Sequence, residues 1–218
     1  MEFVVPGSQG FRVSYDSWDD GGGTWFGQDY ITQLKQRYQR RWQHCLEWCS
    51  GPGFIGFAML AHDMCDKITF QDCKASLQTH IDITCSWNAC GHRVQFYAGD
   101  CVDCVPERQF DLVVANPPHY LSCPGDENYQ RLAVDQDWKA HHRFFQSISR
   151  YLAPEGVIIM QENQAGSLNG VREFWNMIHG SDLEITGYWT SQQYWHSRGP
   201  TQIYYIEIKK PQNSALTA

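Results

Sequence analysis

The sequence has no long apolar run and no N-terminal targeting pattern. No stretch approaches the roughly 18 apolar residues that a membrane-spanning helix needs. The first residues, Met1–Pro6, lack the charged segment and following apolar stretch of a signal peptide. These absences disfavour a membrane partner and predict an intracellular, cytoplasmic protein.

Positive charge is also scarce. The 17 Lys and Arg residues are outnumbered by 24 Asp and Glu, which gives a net charge of -7. Binding to phosphate backbones needs clustered Lys and Arg, and the run from Lys35 to Arg41 falls on one predicted helix, as a solvated face would. The charge therefore disfavours nucleic acid as a partner but does not exclude it, because a partner subunit could supply a basic surface.

The nine cysteines are odd in number and scattered, which is typical of free thiols in a reducing compartment. Cys101 and Cys104 have the spacing of a zinc ligand pair, and Cys85, Cys90 and His92 are the nearest further candidates. A structural zinc needs four ligands, and the first two of these candidates lie on or at the end of a predicted helix. We therefore expect free thiols and no metal.

Short apolar runs alternate with helical patterns along most of the chain. Apolar residues recur at helical spacing from Gln28 to Trp42, which predicts a first helix. Strands are then predicted at 44–48, 67–71, 94–97, 111–115, 157–160, 183–189 and 202–208, and helices at 54–60, 74–88, 137–152 and 171–178. Such alternation favours a parallel sheet covered on both faces. The last two strands are joined by a loop alone and should form an antiparallel hairpin. The prediction is one doubly wound α/β domain with a seven-stranded, mostly parallel sheet and an antiparallel C-terminal strand.

The first of these strands runs into a glycine-rich loop, Gly51-x-Gly53-x-x-Gly56, and a helix follows. Glycines allow the backbone to approach a ligand closely, and ligands of such sheets bind at the carboxyl ends of the strands. With Asp72 placed to bind a ribose hydroxyl, the pattern also fits a dinucleotide fingerprint. An NAD-dependent oxidoreductase is therefore one candidate.

Two acidic residues favour S-adenosylmethionine (SAM) over NAD. Glu47 precedes the glycines, where a carboxylate suits the ammonium of a methionine moiety. Asp100 follows the third strand, with Cys101 beside it, where it can bind an adenine edge. Glu47, Asp72 and Asp100 would then end successive strands, as a nucleoside joined to an amino acid requires. Acids after strands are also common helix caps, but caps do not explain the glycines.

The segment Glu47-x-Cys49-x-Gly51-x-Gly53 resembles the acid-x-Gly-x-Gly-x-Gly loop of class I SAM-dependent methyltransferases, with Cys49 in place of the first glycine. The resemblance covers about residues 28–210 and implies a Rossmann-like fold that ends in an antiparallel hairpin. It implies SAM as the cofactor. The implied cofactor-binding residues are Glu47, Cys49, Gly51, Gly53, Asp72, Asp100, Cys101 and Asn116.

The most specific feature is Asn116-Pro117-Pro118-His119-Tyr120, which follows an apolar strand. The prolines fix φ and stiffen the turn, and they free the Pro117 carbonyl from sheet pairing. The side-chain oxygen of Asn116 is a second acceptor. Two acceptors aimed at one NH2 group would hold both of its hydrogens and direct the nitrogen lone pair at an incoming methyl group. The ring of His119 can stack on the flat group that carries the nitrogen.

This segment looks like the Asn-Pro-Pro-Tyr motif of amino-methyltransferases, among them the HemK-like protein glutamine methyltransferases and the related "small" methyltransferase domain. The resemblance implies that Asn116, Pro117 and Pro118 form the catalytic turn. It also implies that His119 holds the aromatic position, where the family has Tyr or Phe, with Tyr120 as the alternative ring. The implied activity is transfer of a methyl group to a planar amide or exocyclic amine nitrogen.

Enzymes with this motif act on protein glutamine amides or on the amines of adenine and cytosine. The acidic charge favours a protein side-chain amide or a small metabolite as the substrate. The alternatives are an adenine or cytosine amino-methyltransferase acting on RNA or DNA, the NAD-dependent oxidoreductase, and a non-catalytic SAM-binding module. The last is suggested by the two departures from the family pattern, Cys49 and His119. The oligomeric state is left open.

The methyltransferase domain is predicted to span 28–210. Residues 1–27 should form a segment that covers the active site, where Trp18 and nearby acids contact the substrate, and 211–218 should be a flexible tail. We further expect Glu162 to line the pocket, His141 to lie at or near the surface, and Asp137 to cap the long helix.

Overall fold

The computed structural model of the protein describes residues 1–106, 109–122, 125, 127–167, 169–196 and 199–212. For 128, 129, 192–196 and 199–201 the backbone alone is described. Most of the predicted tail, 213–218, lies outside the described residues, so its expected flexibility stays a prediction.

The strands in this part of the chain are β1 (Glu2–Val4), β2 (Arg12–Ser14), β3 (Trp42–Trp48), β4 (Cys65–Asp72), β5 (Val94–Ala98), β6 (Phe110–Ala115), β7 (Leu152–Asn163), β8 (Glu184–His196) and β9 (Gly199–Lys209). The α-helices are α1 (Gly23–Arg37), α2 (Phe54–Ala61), α3 (Leu77–Asn88), α4 (Glu127–Ala133), α5 (Lys139–Ile148) and α6 (Arg172–His179). No helix within the described ranges is long and apolar enough to cross a membrane.

The main sheet has seven strands in the order β5-β4-β3-β6-β7-β9-β8, and β1 and β2 form a separate antiparallel pair. Strands β3 to β7 pair in parallel, whereas β9 is antiparallel to both β7 and β8. The predicted fold class is therefore confirmed. The chain leaves β3 toward β4 and returns to β6 on its other side, so the carboxyl ends of β3 and β6 meet at the switch point of the sheet.

Both faces of the central strands are buried, each in its own apolar cluster. Along β6, Leu112 and Val114 join the cluster under α1 and α2, while Val113 and Ala115 join the one under α5 and α6. Burial on two faces explains why this strand is a continuous apolar run instead of an alternating pattern. Several aromatics fill these clusters; for example, Trp48 stacks on Phe144 with ring centroids 4.0 Å apart.

Two predicted helix boundaries are wrong. The first helix spans Gly23–Arg37, and Trp42, which the helical spacing assigned to it, is the buried first residue of β3. The long helix predicted at 137–152 is an α-helix over Lys139–Ile148 between two short 3-10 turns. Asp137 and Trp138 precede it with φ of 58° and 53°, a left-handed backbone that interrupts a regular helix.

Tyr30 of α1 connects the helix to the two strands nearest the catalytic segment. Its buried hydroxyl accepts the backbone N–H of Ala115 at 3.1 Å. The same hydroxyl lies 2.8 Å from the Ala115 carbonyl and 2.5 Å from the Ile159 carbonyl, to which it can donate. This phenol therefore fixes the last residue of β6, immediately before Asn116.

Tyr30→Phe should lower the free energy of unfolding by about 1–3 kcal/mol, because it leaves buried backbone groups of Ala115 and Ile159 without a partner. Urea denaturation measures the change. The matched control is Tyr188→Phe, whose side chain is half-exposed and whose effect should stay within about 0.5 kcal/mol. Equal losses in the two variants would contradict this role for Tyr30.

Candidate active site

The glycine loop joins β3 to α2 and is tied to the neighbouring strand. The backbone N–H of Gly51 donates to Asp72 Oδ2 at 2.8 Å. Gly53 precedes α2 with a φ of 87°, and a Cβ at this position would lie 2.8 Å from the ring of Phe70 and 2.9 Å from that of Phe57. A side chain is thus excluded by both backbone conformation and space, which leaves the backbone of the loop open to a ligand.

Glu47 is almost fully buried, and its Oε2 accepts the backbone N–H of Gly56 at 2.6 Å. Burial raises the pKa of this carboxyl to about 8, against the lowering effect of the N–H groups of Gly56 and Ile55. The structure therefore gives Glu47 a role that the sequence did not predict, at the start of α2. Its contact with the ammonium of SAM stays a prediction.

The two other acids lie at the ends of β4 and β5, as predicted, in different surroundings. Asp72 also accepts the backbone N–H of Lys74 through Oδ1 at 3.0 Å, and burial raises the pKa of its carboxyl. Asp100 is exposed and lies 3.2 Å from Arg143. Cys101 is buried in the core beneath α5, with Sγ 3.9 Å from Ser147 Oγ. Roles of the three residues in binding ribose and adenine stay predictions.

The thiols proposed as zinc ligands have other neighbours. Cys104 Sγ lies 3.9 Å from the carbonyl of Tyr97. Within the described ranges, the one group of three potential metal ligands is Asp16, Asp19 and His80, which contains no cysteine. In the described part of the chain, the cysteines proposed for zinc therefore do not form a ligand cluster.

Cys49 has a left-handed backbone, with a φ of 53°. The family pattern has glycine at this position, where such a conformation carries no steric cost. For an L-residue with a side chain it costs roughly 1–2 kcal/mol. The loop thus keeps its shape with cysteine, at the expense of some backbone strain.

The catalytic segment leaves β6 beside this loop. Asn116 Oδ1 is buried and has no hydrogen-bond partner among the described residues. His119 Nδ1 lies 3.1 Å from Glu162 Oε2, and the Tyr120 hydroxyl accepts the side-chain N–H of Asn163 at 3.0 Å. The end of β7 therefore holds the two candidate rings, and the expected position of Glu162 beside the site is consistent with this contact.

Gly166, in the loop after β7, was not predicted to matter. A Cβ at this position would stand 1.7 Å from the His119 carbonyl oxygen, far inside contact distance. The loop after β7 therefore supports the catalytic segment through backbone contact. A lone glycine in the sequence carries no signal of such a distant approach.

Two expectations about the region before and within α5 are wrong. His141 is fully buried, with its ring stacked on Phe174 at a centroid distance of 4.9 Å. Asp135, not Asp137, accepts the first N–H groups of the helix, from Ala140 at 2.9 Å and from His141 at 3.1 Å. The burial of His141 was detectable, because it falls on the same helical face as the apolar residues Phe144, Phe145 and Ile148.

The N-terminal segment lies against the glycine loop. The Asp19 carbonyl would be 3.6 Å from a Cβ on Gly51, and the Asp19 carboxylate forms an ion pair with Lys74. Trp18 is 62% exposed beside it. Because Asp19 already has a cation as its partner, Trp18 is the stronger candidate for substrate contact. That residues 1–27 cover the site, and that the domain begins at 28, stay predictions.

The comparison with family models matches residues 27–169 to the methyltransferase small domain. The chain belongs to the methyltransferase small domain family. This membership confirms the predicted enzyme class, a SAM-dependent methyltransferase, and SAM as its cofactor. It leaves the NAD-dependent oxidoreductase without support.

Two curated relatives of this methyltransferase both have the name tRNA1(Val) (adenine(37)-N6)-methyltransferase. The protein from Actinobacillus pleuropneumoniae serotype 7 (strain AP76) is 26% identical over 121 residues, which are 55% of this chain and 51% of the relative. The protein from serotype 5b (strain L20) is 30% identical over 74 residues, 34% of this chain and 31% of the relative. The chain thus matches about half or less of the length of these relatives.

Solved structures share the fold at low identity. TYW2 of M. jannaschii in complex with AdoMet superposes with a TM-score of 0.60 at 11% identity and covers 93% of this chain and 84% of that one. The ribosomal protein L11 methylase of Lactobacillus delbrueckii subsp. bulgaricus gives 0.55 at 13% identity, with coverage of 84% and 77%. These similarities confirm the Rossmann-like architecture and nothing more specific.

The site of the methyltransferase fits its cofactor. The glycine loop has no room for a Cβ at Gly53, the Asp72 carboxylate closes one side of the loop, and the unpartnered oxygen of Asn116 faces no described donor. We expect the Gly51–Gly53 backbone to hold the methionine part and Asp72 the ribose. When bound, SAM supplies an electrophilic methyl group on a sulfonium.

The stability of Cys49 variants should depend on backbone conformation more than on side-chain size. The free energy of unfolding of Cys49→Val should be about 2 kcal/mol lower than that of Cys49→Gly, because a branched side chain is disfavoured at positive φ and glycine is not. Urea denaturation of both variants gives the difference. As a control, Cys73→Val and Cys73→Gly test the same exchange at an exposed residue without a left-handed backbone. Equal stability of the two Cys49 variants would contradict the strain.

Glu47→Gln should gain stability relative to the parent protein as the pH rises from 5 to 8. A carboxyl whose pKa is raised to about 8 on folding keeps a proton that the unfolded chain has released, so parent stability falls through this range. Glutamine does not titrate and its oxygen can still accept the Gly56 N–H. The expected change is on the order of a few kcal/mol, measured by thermal unfolding without cofactor. Glu155→Gln, at an exposed position of β7, is the control, and a pH-independent difference for Glu47→Gln would contradict the effect.

Proposed function

We propose that this protein transfers a methyl group from SAM to the exocyclic amine of a nucleobase, with adenine in RNA as the first candidate. The observation that carries the proposal is the buried, unpartnered Oδ1 of Asn116, at the end of β6 and beside the cofactor loop. A buried carbonyl oxygen without a donor costs about 1–3 kcal/mol. A substrate NH2 group would supply the missing donor.

The residues of the catalytic segment hold and orient the amine of the substrate. Asn116 Oδ1 accepts one N–H and the Pro117 carbonyl accepts the other, so the nitrogen lone pair is turned toward the methyl group. Pro117 and Pro118 restrict the turn in advance, which lowers the entropy cost of orienting the nitrogen. Gly166 supports the turn by packing against the His119 backbone, and Glu162 supports it by its contact with the His119 ring.

RNA is favoured as the substrate by the names of the two relatives, which act on an adenine amine of a tRNA. The relatives match this chain over part of their length, so their substrate is carried over here as a proposal. Adenine N6 and a glutamine amide both present a planar NH2 group, and the Asn116 geometry fits either. The earlier preference for a protein amide or a small metabolite rested on net charge alone, and nothing in the comparisons supports it.

The basic run from Lys35 to Arg41 is a possible source of phosphate contacts for RNA. Arg37 lies over the ring of Trp189 at 3.7 Å, Arg40 over Trp42 at 3.6 Å, and Arg41 pairs with acids. Arg40 and Arg41 are near the amino end of β3, opposite the site, and do not form a phosphate track into it. Arg37 lines the far end of a polar cleft between α1 and β8.

Two exposed tryptophan rings are better placed than these arginines to contact RNA near the active site. Trp18 precedes α1, and Trp25, in its first turn, is 72% exposed and borders a polar cleft of about 500 Å³ between α1 and β8. Unpaired bases stack on such rings with little dependence on sequence. We infer that RNA is held mainly through unstacked bases near this end of α1.

Asn116→Ala should lower kcat for the amine by about 10²–10³-fold, the usual cost of removing one positioned hydrogen-bond partner, while calorimetric SAM affinity stays near that of the parent. Transfer of a labelled methyl group is measured to an adenine-containing single-stranded RNA, to the same RNA carrying N6-methyladenine, and to a glutamine peptide. Asn176→Ala, at an exposed position of α6, is the matched control and should leave kcat unchanged.

Methylation of the unmodified RNA alone supports the proposal. Methylation of the glutamine peptide alone would replace RNA by a protein amide, with the same role for Asn116. SAM binding without transfer to any of these acceptors would favour the non-catalytic module that Cys49 and His119 suggested. Equal kcat for Asn116→Ala and the parent would remove Asn116 from the reaction.

A further inference from the structure

A chain of four buried ionisable side chains ends at the catalytic segment. Asp135 Oδ2 lies 2.7 Å from His141 Nδ1, His141 Nε2 lies 2.9 Å from Glu162 Oε1, and Glu162 Oε2 lies 3.1 Å from His119 Nδ1. Asp135 is 5% exposed, His141 and Glu162 are 0% exposed, and His119 is 9% exposed. The Asn-Pro-Pro motif accounts for His119 alone, so the three other groups need an explanation.

His141 must be doubly protonated to satisfy both of its neighbours. Each ring nitrogen faces a carboxylate oxygen, and a neutral imidazole has one N–H only. Burial alone would lower the pKa of His141, but the hydrogen bonds to Asp135 and Glu162 raise it to about 9. The rings of Trp48, Trp138 and Phe174 surround this imidazolium and exclude water.

The two carboxylates stay ionised for the same reason. Burial would raise the pKa of Glu162, yet the hydrogen bonds from His119 and His141 hold it below its usual range. The pKa of Asp135 is held low against burial by His141 and the N–H groups of α5. One cation between two anions leaves the three groups with one net negative charge, and the carboxylate that adjoins His119 is Glu162.

An ionised Glu162 fixes the tautomer of His119. The carboxylate can only accept, so Nδ1 of His119 carries the proton and Nε2 keeps a lone pair. The two nitrogens lie on different edges of the imidazole, so a ring bound to Glu162 through Nδ1 turns Nε2 away from that carboxylate. Among the described residues, the hydrogen bond found for this ring is the one at Nδ1.

We propose that His119 accepts, at Nε2, the proton released by the methylated nitrogen, and that Asp135, His141 and Glu162 are positioning residues that hold this tautomer and stabilise the resulting imidazolium. The inference rests on the proposed function. The nitrogen lone pair forms the new bond to the methyl carbon, the carbon–sulfur bond breaks with its electrons going to sulfur, and the nitrogen becomes positively charged. It then passes one proton to Nε2, and Glu162 balances the new charge. The Tyr or Phe that the family has at this position offers no comparable acceptor.

The other ionisable groups packed around Glu162 do not titrate in the same range. They are Tyr30 from α1 and Tyr204 from β9, and burial raises the pKa of both phenols well above its usual value. Tyr204 also lies within hydrogen-bond distance of Ser167. Both tyrosines stay neutral from acid to mildly alkaline pH. Glu47, beside the cofactor loop, also has a pKa of about 8, so the loss of the limb in His119→Phe is what assigns it to the chain.

The test is the pH dependence of kcat for the methyl acceptor, combined with nitrogen NMR of protein labelled with ¹⁵N-histidine. In the parent, kcat should fall toward acid pH, because a His119 that already carries a solvent proton cannot accept another. His119→Phe keeps an aromatic ring and should bind SAM as the parent does. Its kcat at pH 8 should be about 10²-fold lower, with the acid limb removed. His142→Phe, at the exposed neighbour of His141, is the matched control.

Glu162→Gln keeps the shape of the acceptor and removes its charge, and its amide can both accept and donate, so His119 should no longer be held in one tautomer. Its kcat should fall as well, because the imidazolium that forms loses its counter-ion. If Glu162→Gln does not fold, Asp135→Asn should give a smaller change of the same kind. A merely structural role would lower kcat without changing the tautomer of His119. The NMR spectrum, which needs no substrate, should show His119, assigned from the His119→Phe variant, protonated at Nδ1 and not at Nε2.

Three results would overturn the inference: protonation of His119 at Nε2 in the neutral protein, an acid limb that survives in His119→Phe, or a His119 that stays protonated at Nδ1 alone in both carboxylate variants. Any of these, with nitrogen methylation intact, leaves the proposed function standing. Absence of nitrogen methylation in the parent protein would instead overturn the proposed function, and the proton transfer with it.

Discussion

The parallel pairing of β3 with β6 is the constraint on which the rest of the structure depends. Trp48 at the end of β3 is opposite Ala115 at the end of β6, although the two belong to segments separated by β4 and β5. Both strands are buried on both faces, so a slip of one residue would move every side chain into the wrong cluster. The sheet therefore places the cofactor loop and the catalytic segment next to each other. Tyr30 adds a local constraint at Ala115.

The elements that the sequence predicts well are those whose signal is local. The apolar run before Asn116 and the glycines after β3 lie next to the residues that they position, so pattern and structure agree. The boundaries of α1 and α5 were misplaced because local spacing misleads there. Trp42 falls one helical turn after Tyr38, although the backbone of Tyr38 is already extended. Nothing in the sequence marks the left-handed residues Asp137 and Trp138.

In the candidate site, too, the residues marked by local motifs were predicted and those brought together by long-range contacts were not. Asn116 and the glycine loop follow from motifs, and the buried face of α5 could have included His141. The contacts of Glu162 could not be predicted, because it is 21 residues from His141 and 43 residues from His119 in the chain and meets them through strand pairing and loop packing. Gly166 is a similar case, since its contact with His119 depends on the path of the loop after β7. Long-range pairing of polar side chains leaves no periodic trace in a sequence.

The burial of the Asp135–His141–Glu162 chain has a consequence for how the protein responds to ionic strength. Mobile ions screen charges that they can approach, and they screen buried pairs much less. The exposed pair between Arg143 and Asp100 is open to such screening, whereas the three buried groups are enclosed by aromatic rings. The electrostatic environment of His119 therefore depends much less on ionic strength than the surface pair does. Changes in salt act mainly on the surface of the molecule and only weakly on the charge balance at the catalytic segment.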